Sequence, residues 1–262
     1  MTISRRTFSL GLASGAAGAL AAVAAPASAA AAPLPPGANV VLVHGAYADG
    51  SCWGELIPLL LRAGVAVTAV QNPLSSLAED VGATRRALDL QTGPTVLVGH
   101  SYGGAVITEA GLHPAVRSLV YLSARAPEAG EDYTALAAGF PTPPANSGLE
   151  FHEGFGGLNE AAFLADFANG VPRERARTLY AAQGRIAQTL FAGRTTTAAW
   201  HSKPSRYLIT TQDRTTAPQL QRFVAQRMGA RTMEVPTGHL SFAVRPALVA
   251  DFILDAVRGL PR

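Results

Sequence analysis

The stretch TVLVGHSYGGAVITEA, residues 95–110, decides the fold of this chain. Its first four residues predict a buried strand and its last six predict a helix. Between them, Gly99-x-Ser101-x-Gly103 predicts a tight turn in which a strained serine is flanked by glycines, because larger side chains would not fit beside it. The first amides of the following helix favour negative charge near that serine. The pattern indicates a nucleophilic serine; a glycine-rich turn without chemistry is the alternative.

Strand-like and helix-like segments alternate along most of the chain. Continuous apolar runs are typical of parallel strands that are buried on both faces. The alternation predicts an α/β fold with a mainly parallel sheet of about six strands, helices on both faces and a helical cap insertion. The predicted strands are Asn39–Val43, Val65–Val70, Thr95–Val98, Val116–Leu122, Arg206–Thr211 and Arg231–Val235.

One interval, from about Ala124 to Lys203, lacks this alternation. Within it, only residues 159–169 and 172–184 have a helical pattern. Long insertions in compact domains are usually functional, and open α/β sheets bind ligands at the carboxyl ends of their strands. The interval is therefore predicted to form a cap over those strand ends, with extra surface helices as the alternative.

A nucleophilic serine needs a base, and the base needs a carboxylate that orients it. His239 follows the predicted strand 231–235, and Asp213 follows the predicted strand 206–211. Both are expected to reach the serine from strand ends, whereas a surface histidine and a turn or helix-cap aspartate are the alternatives. The fallback acids, which follow an earlier strand, are Glu128, Glu131 and Asp132.

An oxyanion that forms during acyl transfer needs two backbone N–H donors. The amide of Tyr102, next to the serine, is one candidate. The amide of Ala46, in the loop after the first strand, is the other, since Gly45 allows that loop to approach closely. His44 is interpreted as a packed residue that braces this loop, with a role as second base as the alternative.

These segments together resemble the α/β-hydrolase superfamily over residues 39–259. The runs VLVHGA (41–46) and VGHSYGG (98–104) and the loops of Asp213 and His239 carry the resemblance. Within the superfamily the chain resembles the group of plant methyl esterases and hydroxynitrile lyases. The resemblance implies hydrolysis of small esters by a Ser-His-Asp triad, without a cofactor or metal. The lyases carry a lysine directly after the catalytic histidine; Leu240 occupies that position here, which disfavours cyanohydrin cleavage.

Substrate specificity is expected to depend on apolar residues near the cap, because small-ligand sites are mostly apolar. The pocket candidates are Trp53, Phe140, Phe151, Phe155 and Trp200, with a place in the plain hydrophobic core as the alternative for each. A lactone, amide or carbon–carbon bond is an alternative target of the same triad. A small-molecule binding protein with a vestigial triad is the alternative from another class.

The first 29 residues predict an export signal. Arg5 and Arg6 precede an Ala/Gly-rich apolar run, and Ala27-Ser28-Ala29 fits a small-x-small cleavage site. The paired arginines resemble the twin-arginine type. Residues 30–262 then form the mature domain, which would be carried by the twin-arginine export machinery to the secreted, periplasmic or cell-wall space of a bacterium.

Composition limits the partners. The chain of 262 residues is 48% hydrophobic and carries a formal charge of +3, which falls to +1 without the two signal arginines. A nearly neutral domain gives no reason to expect nucleic acid binding or a stable membrane association. Cys52 is the only cysteine, so no internal disulfide can form. The expected partner is a small-molecule ester substrate.

Overall fold

Six parallel strands form the central sheet. The computed structural model describes residues 33–260, so the predicted export signal lies outside the described residues. The strands are β1 (Asn39–Val43), β2 (Ala66–Val70), β3 (Thr95–His100), β4 (Val116–Leu122), β8 (Ser205–Thr210) and β9 (Arg231–Val235). Their order across the sheet is β2-β1-β3-β4-β8-β9. The predicted mainly parallel sheet of about six strands is confirmed.

Two inner strands, β1 and β3, are fully buried and mostly apolar. Val40, Leu42 and Leu97 have no exposed surface, as the continuous apolar runs predicted. The strand order reverses between β1 and β3, which pair in parallel. The crevice at such a reversal, at the carboxyl ends of the strands, is the usual ligand site of an open parallel sheet. The glycine-flanked serine lies at the carboxyl end of β3.

Helices connect the strands, as the alternation predicted. Ser76 caps α2: its side chain accepts a hydrogen bond of 3.2 Å from the amide of Glu79. Helix α1 packs against α9, and α2 packs against α3. The helices outside the cap are α1 (Ile57–Arg62), which follows a 3₁₀ turn (Gly50–Glu55), α2 (Leu77–Asp89), α3 (Gly103–Ala110), α7 (Pro218–Arg227), α8 (Ser241–Val244) and α9 (Pro246–Arg258).

The chain between β4 and β8 forms the insertion. Its helices are α4 (Tyr133–Ala137), α5 (Glu160–Ala162), which continues into a π-helical turn (Phe163–Phe167), and α6 (Arg173–Ala181). Short 3₁₀ turns lie at Pro144–Gly148, Leu190–Ala192 and Ala199–His201. The segment formed by α5 and the π-helical turn lies within the predicted helical range 159–169, and α6 lies within the predicted range 172–184.

The insertion also contains a sheet that the sequence did not predict. Strands β5 (Leu149–His152), β6 (Phe155–Leu158) and β7 (Ile186–Ala187) pair antiparallel. Glu153 and Gly154 turn the β5–β6 hairpin with positive φ angles of 49° and 82°. Strands of two to four residues, one of them with two glycines, are too short to show a clear period-2 pattern.

None of the helices in residues 33–260 is both long enough and apolar enough to cross a lipid bilayer.

Candidate active site

The serine turn has the strained geometry that its glycines predicted. Ser101 lies between β3 and α3 with φ at +54°, a left-handed conformation that is costly for a residue with a Cβ atom. Its N–H donates to the carbonyl of Leu122 at 3.2 Å, and its carbonyl accepts from the amides of Gly104 at 3.0 Å and Arg125 at 2.9 Å. The backbone of three segments therefore holds this serine in place.

Close approach explains the glycines of the turn. A Cβ atom on Gly103 would lie 2.5 Å from the carbonyl oxygen of Val43, and one on Gly99 would lie 2.7 Å from the carbonyl oxygen of Gly103. A Cβ atom on Gly45 would lie 2.7 Å from the Cβ of Ser101. The loop after β1 therefore contacts the serine turn directly, and only glycine allows that contact.

His239 and Asp213 form a buried pair. Nδ1–H of His239 donates to Oδ2 of Asp213 at 2.7 Å, and both side chains are fully shielded from solvent. Because the proton is on Nδ1, the lone pair of the ring is on Nε2. That atom is buried and has no hydrogen-bond partner within residues 33–260. The imidazole thus has the tautomer of a general base.

Four further donors fix the Asp213 carboxylate. The amides of Thr215 and Thr216 donate to Oδ1 at 2.8 Å each. The Thr210 hydroxyl and the Gln221 side-chain amide donate to Oδ2, also at 2.8 Å. Gln221 was not among the predicted site residues, although the sequence carries a signal: it lies three and four positions before buried Val224 and Ala225, and a polar residue on an apolar helix stripe needs a partner.

His100 connects the serine turn to the histidine loop. Its Nε2–H donates to the carbonyl of His239 at 3.2 Å, and the two ring centroids are 4.5 Å apart. Burial, together with the neighbouring His239, holds the pKa of His100 well below its ordinary value, so this ring is neutral. Ser101 itself makes no side-chain hydrogen bond within the described residues. The structure therefore brings His239 to the residue beside the serine, but not into a hydrogen bond with the serine hydroxyl.

The two candidate oxyanion donors are backbone N–H groups that are free to donate. Neither the N–H of Ala46 nor that of Tyr102 has an acceptor among the hydrogen bonds of residues 33–260. The Tyr102 side chain is anchored by its hydroxyl, which donates to Oδ2 of Asp80 at 2.8 Å. Two amides without acceptors beside a strained serine are what an oxyanion site requires.

His44 braces the loop that carries Ala46. Its Nδ1–H donates to the Gly45 carbonyl and its Nε2 accepts from the Asn72 amide, both at 2.9 Å. Burial lowers the pKa of His44. Since both ring nitrogens are occupied, His44 has no free lone pair with which to act as a second base.

The fallback acids are engaged away from His239. Glu128 pairs with His201 at 2.8 Å, Glu131 with Arg227 at 2.6 Å and Asp132 with Arg194 at 3.1 Å.

Backbone strain is concentrated at the carboxyl ends of three neighbouring strands. Tyr47, Ser101 and Ser123, which follow β1, β3 and β4, have φ angles of 60°, 54° and 49°. Non-glycine residues in this region cost roughly 1–2 kcal/mol each. Such strain is typical of functional sites, where it holds groups in a chosen direction.

A cavity of about 410 Å³ lies between the cap and the strand ends. Tyr47 and Arg125 line it from the sheet side, and Thr215 and Thr216, next to Asp213, line another wall. The cap lines the rest through Tyr133, Thr134, Ala137, Ala138, Pro141, Thr142, Pro143, Asn146, Leu149 and Phe191, with Ala217 and Leu220 completing it.

The five predicted pocket aromatics do not line this cavity. Trp53 is fully buried against His100 and Phe242, and Trp200 donates its indole N–H to the Pro127 carbonyl at 3.0 Å. Phe140 packs on Phe223, whereas Phe151 and Phe155 are 40% and 46% exposed on the β5–β6 hairpin. The aromatics beside the site are Tyr47, Phe167 and Phe191; Phe167 lies 5.4 Å from the His239 ring, centroid to centroid.

The cap also contacts the two loops that carry Asp213 and His239. Nδ2 of Asn169 donates to the carbonyl of Gln212 at 2.9 Å. A Cβ atom on Gly238 would lie 2.1 Å from Oδ1 of Asn169. One cap residue therefore contacts the residues that directly precede Asp213 and His239.

The fold and this geometry agree with the comparison to known families. A model of the alpha/beta hydrolase family matches residues 40–252. The chain therefore belongs to the alpha/beta hydrolase family, a family of hydrolases, as the sequence motifs suggested.

Individual relatives are esterases and hydrolases. The chain is similar to a carbendazim hydrolyzing esterase from a Nocardioides species, 38% identical over 113 residues. That match covers 38% of this chain and 47% of the esterase, so the chain spans about half the length of that relative. It is also similar to a probable hydrolase from a Phoma species, 28% identical over 82% of this chain and 96% of that protein.

Among solved structures, the fold is similar to that of a methylesterase from Arabidopsis. The TM-score is 0.71 at 19% identity, covering 85% of this chain and 99% of that chain. The resemblance to the plant methyl esterase group is thereby confirmed at the level of the fold.

Proposed function

We propose that this protein is a serine hydrolase that cleaves small carboxylic esters through an acyl-enzyme intermediate. The observation that carries the proposal is the buried His239–Asp213 pair, joined at 2.7 Å, whose Nε2 lone pair has no partner within residues 33–260. A buried polar atom without a partner is costly. A role as the general base explains this atom, because its lone pair has to be free to accept the serine proton during the reaction.

In the proposed reaction, Oγ of Ser101 attacks the acyl carbon of the ester while Nε2 of His239 takes the hydroxyl proton. The carbonyl oxygen becomes an oxyanion and accepts hydrogen bonds from the amides of Ala46 and Tyr102. Collapse of the intermediate breaks the bond to the alkoxy oxygen, which takes the proton from His239 and leaves as an alcohol. Water then attacks the acyl-serine while His239 takes a proton from it; the bond between the acyl carbon and Oγ breaks, His239 returns the proton to Oγ, and the acid leaves.

Asp213 holds the imidazole in this tautomer and stabilises its positive charge during the reaction. The reaction requires the serine hydroxyl to turn towards His239, and this rotation breaks no side-chain hydrogen bond within residues 33–260. Catalytic hydrogen bonds of this kind often tighten only when substrate is bound. Each oxyanion donor is expected to contribute about 3 kcal/mol in the transition state.

The relatives support an ester as the substrate, because one is named an esterase and one structural neighbour a methylesterase. Leu240, fully buried and apolar, gives no cationic group beside His239 for cyanohydrin cleavage. A panel that adds lactones and amides to the esters decides which bond is preferred.

A fluorophosphonate probe tests nucleophile activation without knowledge of the substrate. We expect the probe to label Ser101, identified by mass spectrometry of the digested protein. The Ser101→Ala variant should lose both the label and the hydrolysis of 4-nitrophenyl acetate. Ser202→Ala, which changes an exposed serine far from the pair, is the matched control and should retain both. Turnover by Ser101→Ala at the wild-type rate would overturn the proposal, and tight ligand binding without turnover in the wild type would favour a binding protein.

We further propose that the protein is exported by the twin-arginine route. The support is the sequence alone: Arg5 and Arg6, the apolar run and the Ala27-Ser28-Ala29 site. Lysine at both arginine positions should retain the protein in the cytoplasm, whereas export of that variant would exclude this route.

A further inference from the structure

Arg125 is attached to the serine turn. It follows β4 by three residues, and its N–H donates to the carbonyl of Ser101 at 2.9 Å. The first turn of α3 packs on the same residue: a Cβ atom on Gly104 would lie 2.2 Å from the Arg125 carbonyl oxygen. The backbone of Arg125 is thus fixed relative to the proposed nucleophile.

The guanidinium of Arg125 lies in the cavity between the cap and the strand ends. Its Cζ is 4.1 Å from the centroid of the Phe191 ring and 5.3 Å from that of Tyr133. Stacking on aromatic rings holds a guanidinium in one plane and leaves its N–H edge available. Both rings belong to the cap, so the cap positions this cation in the cavity.

No counter-charge accompanies this cation. Arg125 makes no ion pair and no side-chain hydrogen bond with any residue in 33–260, and none of the residues that line the cavity is acidic. Burial raises the pKa of Tyr47 and of Tyr133 to about 12, so neither phenol is ionised at neutral pH. Burial also lowers the pKa of Arg125, but a guanidinium stays protonated in proteins. A half-buried, unpaired charge of this kind is unfavourable.

Two other arginines, Arg194 of the cap and Arg227 of α7, do not share this property. Arg194 pairs with Asp132 at 3.1 Å, and Arg227 pairs with Glu131 at 2.6 Å. The acids of the neighbouring segment are therefore already engaged. Within residues 33–260, neither of these acids is free to pair with Arg125.

We propose that Arg125 is a specificity residue that binds a carboxylate carried by the ester substrate. The preferred substrates are then half-esters of short dicarboxylic acids, or hydroxy acids that are acylated on the hydroxyl and keep a free carboxylate. This proposal rests on the proposed esterase function. The apolar and aromatic walls of the cavity accommodate the short carbon chain, and the guanidinium offers two parallel N–H donors to the carboxylate. Hydrolysis of the ester leaves that carboxylate unchanged.

The test compares matched anionic and neutral esters. The acyl arm uses 4-nitrophenyl hemiglutarate against 4-nitrophenyl hexanoate, and the alcohol arm uses acetoxyacetate against ethyl acetate. We expect the wild type to prefer the anionic ester in at least one arm by about 10- to 100-fold in kcat/KM, the range of a charge-assisted bidentate contact. Arg125→Gln should bring that ratio to about one, whatever its absolute rate, and Arg125→Lys should restore part of it.

Arg194→Gln is the matched control, since it removes a nearby cap cation that is already paired and should leave the ratio unchanged. A wild-type ratio near one in both arms, or the same ratio in Arg125→Gln, overturns the proposal. Calorimetric binding of the same esters to Ser101→Ala separates the two proposals. If the wild type does not turn over but the anionic ester binds more tightly in an Arg125-dependent way, the carboxylate site stands and the esterase mechanism fails; turnover without any preference means the reverse.

Discussion

Gln221 allows a sharp test of how Asp213 is held. Its side-chain N–H groups donate to Oδ2 of Asp213 at 2.8 Å and to the Thr216 carbonyl at 2.9 Å, and its Oε1 accepts from the Thr210 amide at 2.9 Å. The side chain is fully buried. Gln221→Glu keeps the shape but places a second carboxyl group at hydrogen-bond distance from that of Asp213.

Two such groups cannot both be ionised in a buried site, so the pair retains a proton. The folded state then binds a proton that the unfolded glutamate has released above about pH 4.3. The free energy of unfolding, relative to wild type, should therefore fall by about 1.4 kcal/mol per pH unit as pH rises, or up to roughly 2.7 kcal/mol between pH 5 and pH 7. A pH-independent loss of about 1–3 kcal/mol adds to this, because the retained proton cannot serve both Asp213 and the Thr216 carbonyl.

Urea unfolding followed by tryptophan fluorescence at pH 5, 6 and 7 measures both contributions. Gln226→Glu, on the exposed face of the same helix, is the control for a negative charge on α7. If the two variants show the same dependence on pH, the Gln221–Asp213 contact does not exist as described.

Two further predictions concern the serine turn and the buried histidines. Gly103→Ala should lower the free energy of unfolding by roughly 1–3 kcal/mol, the usual cost of overpacking, because its Cβ would lie 2.5 Å from a backbone oxygen. Gly82→Ala inside α2 should instead raise the free energy of unfolding by about 0.5–1 kcal/mol, since the nearest atom, 3.4 Å away, is at the end of a flexible arginine. Equal shifts in the melting temperature of the two variants would contradict this. His44 and His100 have lowered pKa values, so below about pH 6.5 the unfolded state binds protons that the folded state does not. The free energy of unfolding should therefore fall as pH decreases, by up to about 1.4 kcal/mol per pH unit for each ring. In urea unfolding, His100→Asn should reduce the slope of this free energy against pH, and a flat wild-type profile from pH 7 to pH 5 would refute the prediction.

The inner strands β1 and β3 could be predicted from the sequence because they are buried on both faces. Continuous apolar runs such as residues 40–43 and 96–98 are typical of such strands, and both lie within strands of the structure. The positions of Ser101, Asp213 and His239 then follow from strand ends. Parallel strands bring their carboxyl ends to one edge, so residues far apart in sequence meet there.

The contents of the cavity could not be predicted in the same way. An aromatic residue signals burial but not which surface buries it, so Trp53 and Phe167 look alike in the sequence although only Phe167 contacts the His239 ring. Arg125 gives no signal at all, since one arginine among many is ordinarily exposed. Its importance depends on the absence of an acidic neighbour in three dimensions.

The left-handed backbone of Ser101 costs stability at the position where the proposed chemistry needs a serine. Glycine tolerates that conformation without steric cost, so a glycine at this position would relieve a penalty of roughly 1–2 kcal/mol, less its own loss of chain entropy. A laboratory evolution experiment that selects only for heat resistance would thus have no reason to keep the serine. Under the proposed mechanism a variant with glycine at position 101 has no nucleophile, so selection for stability needs an activity screen at every round.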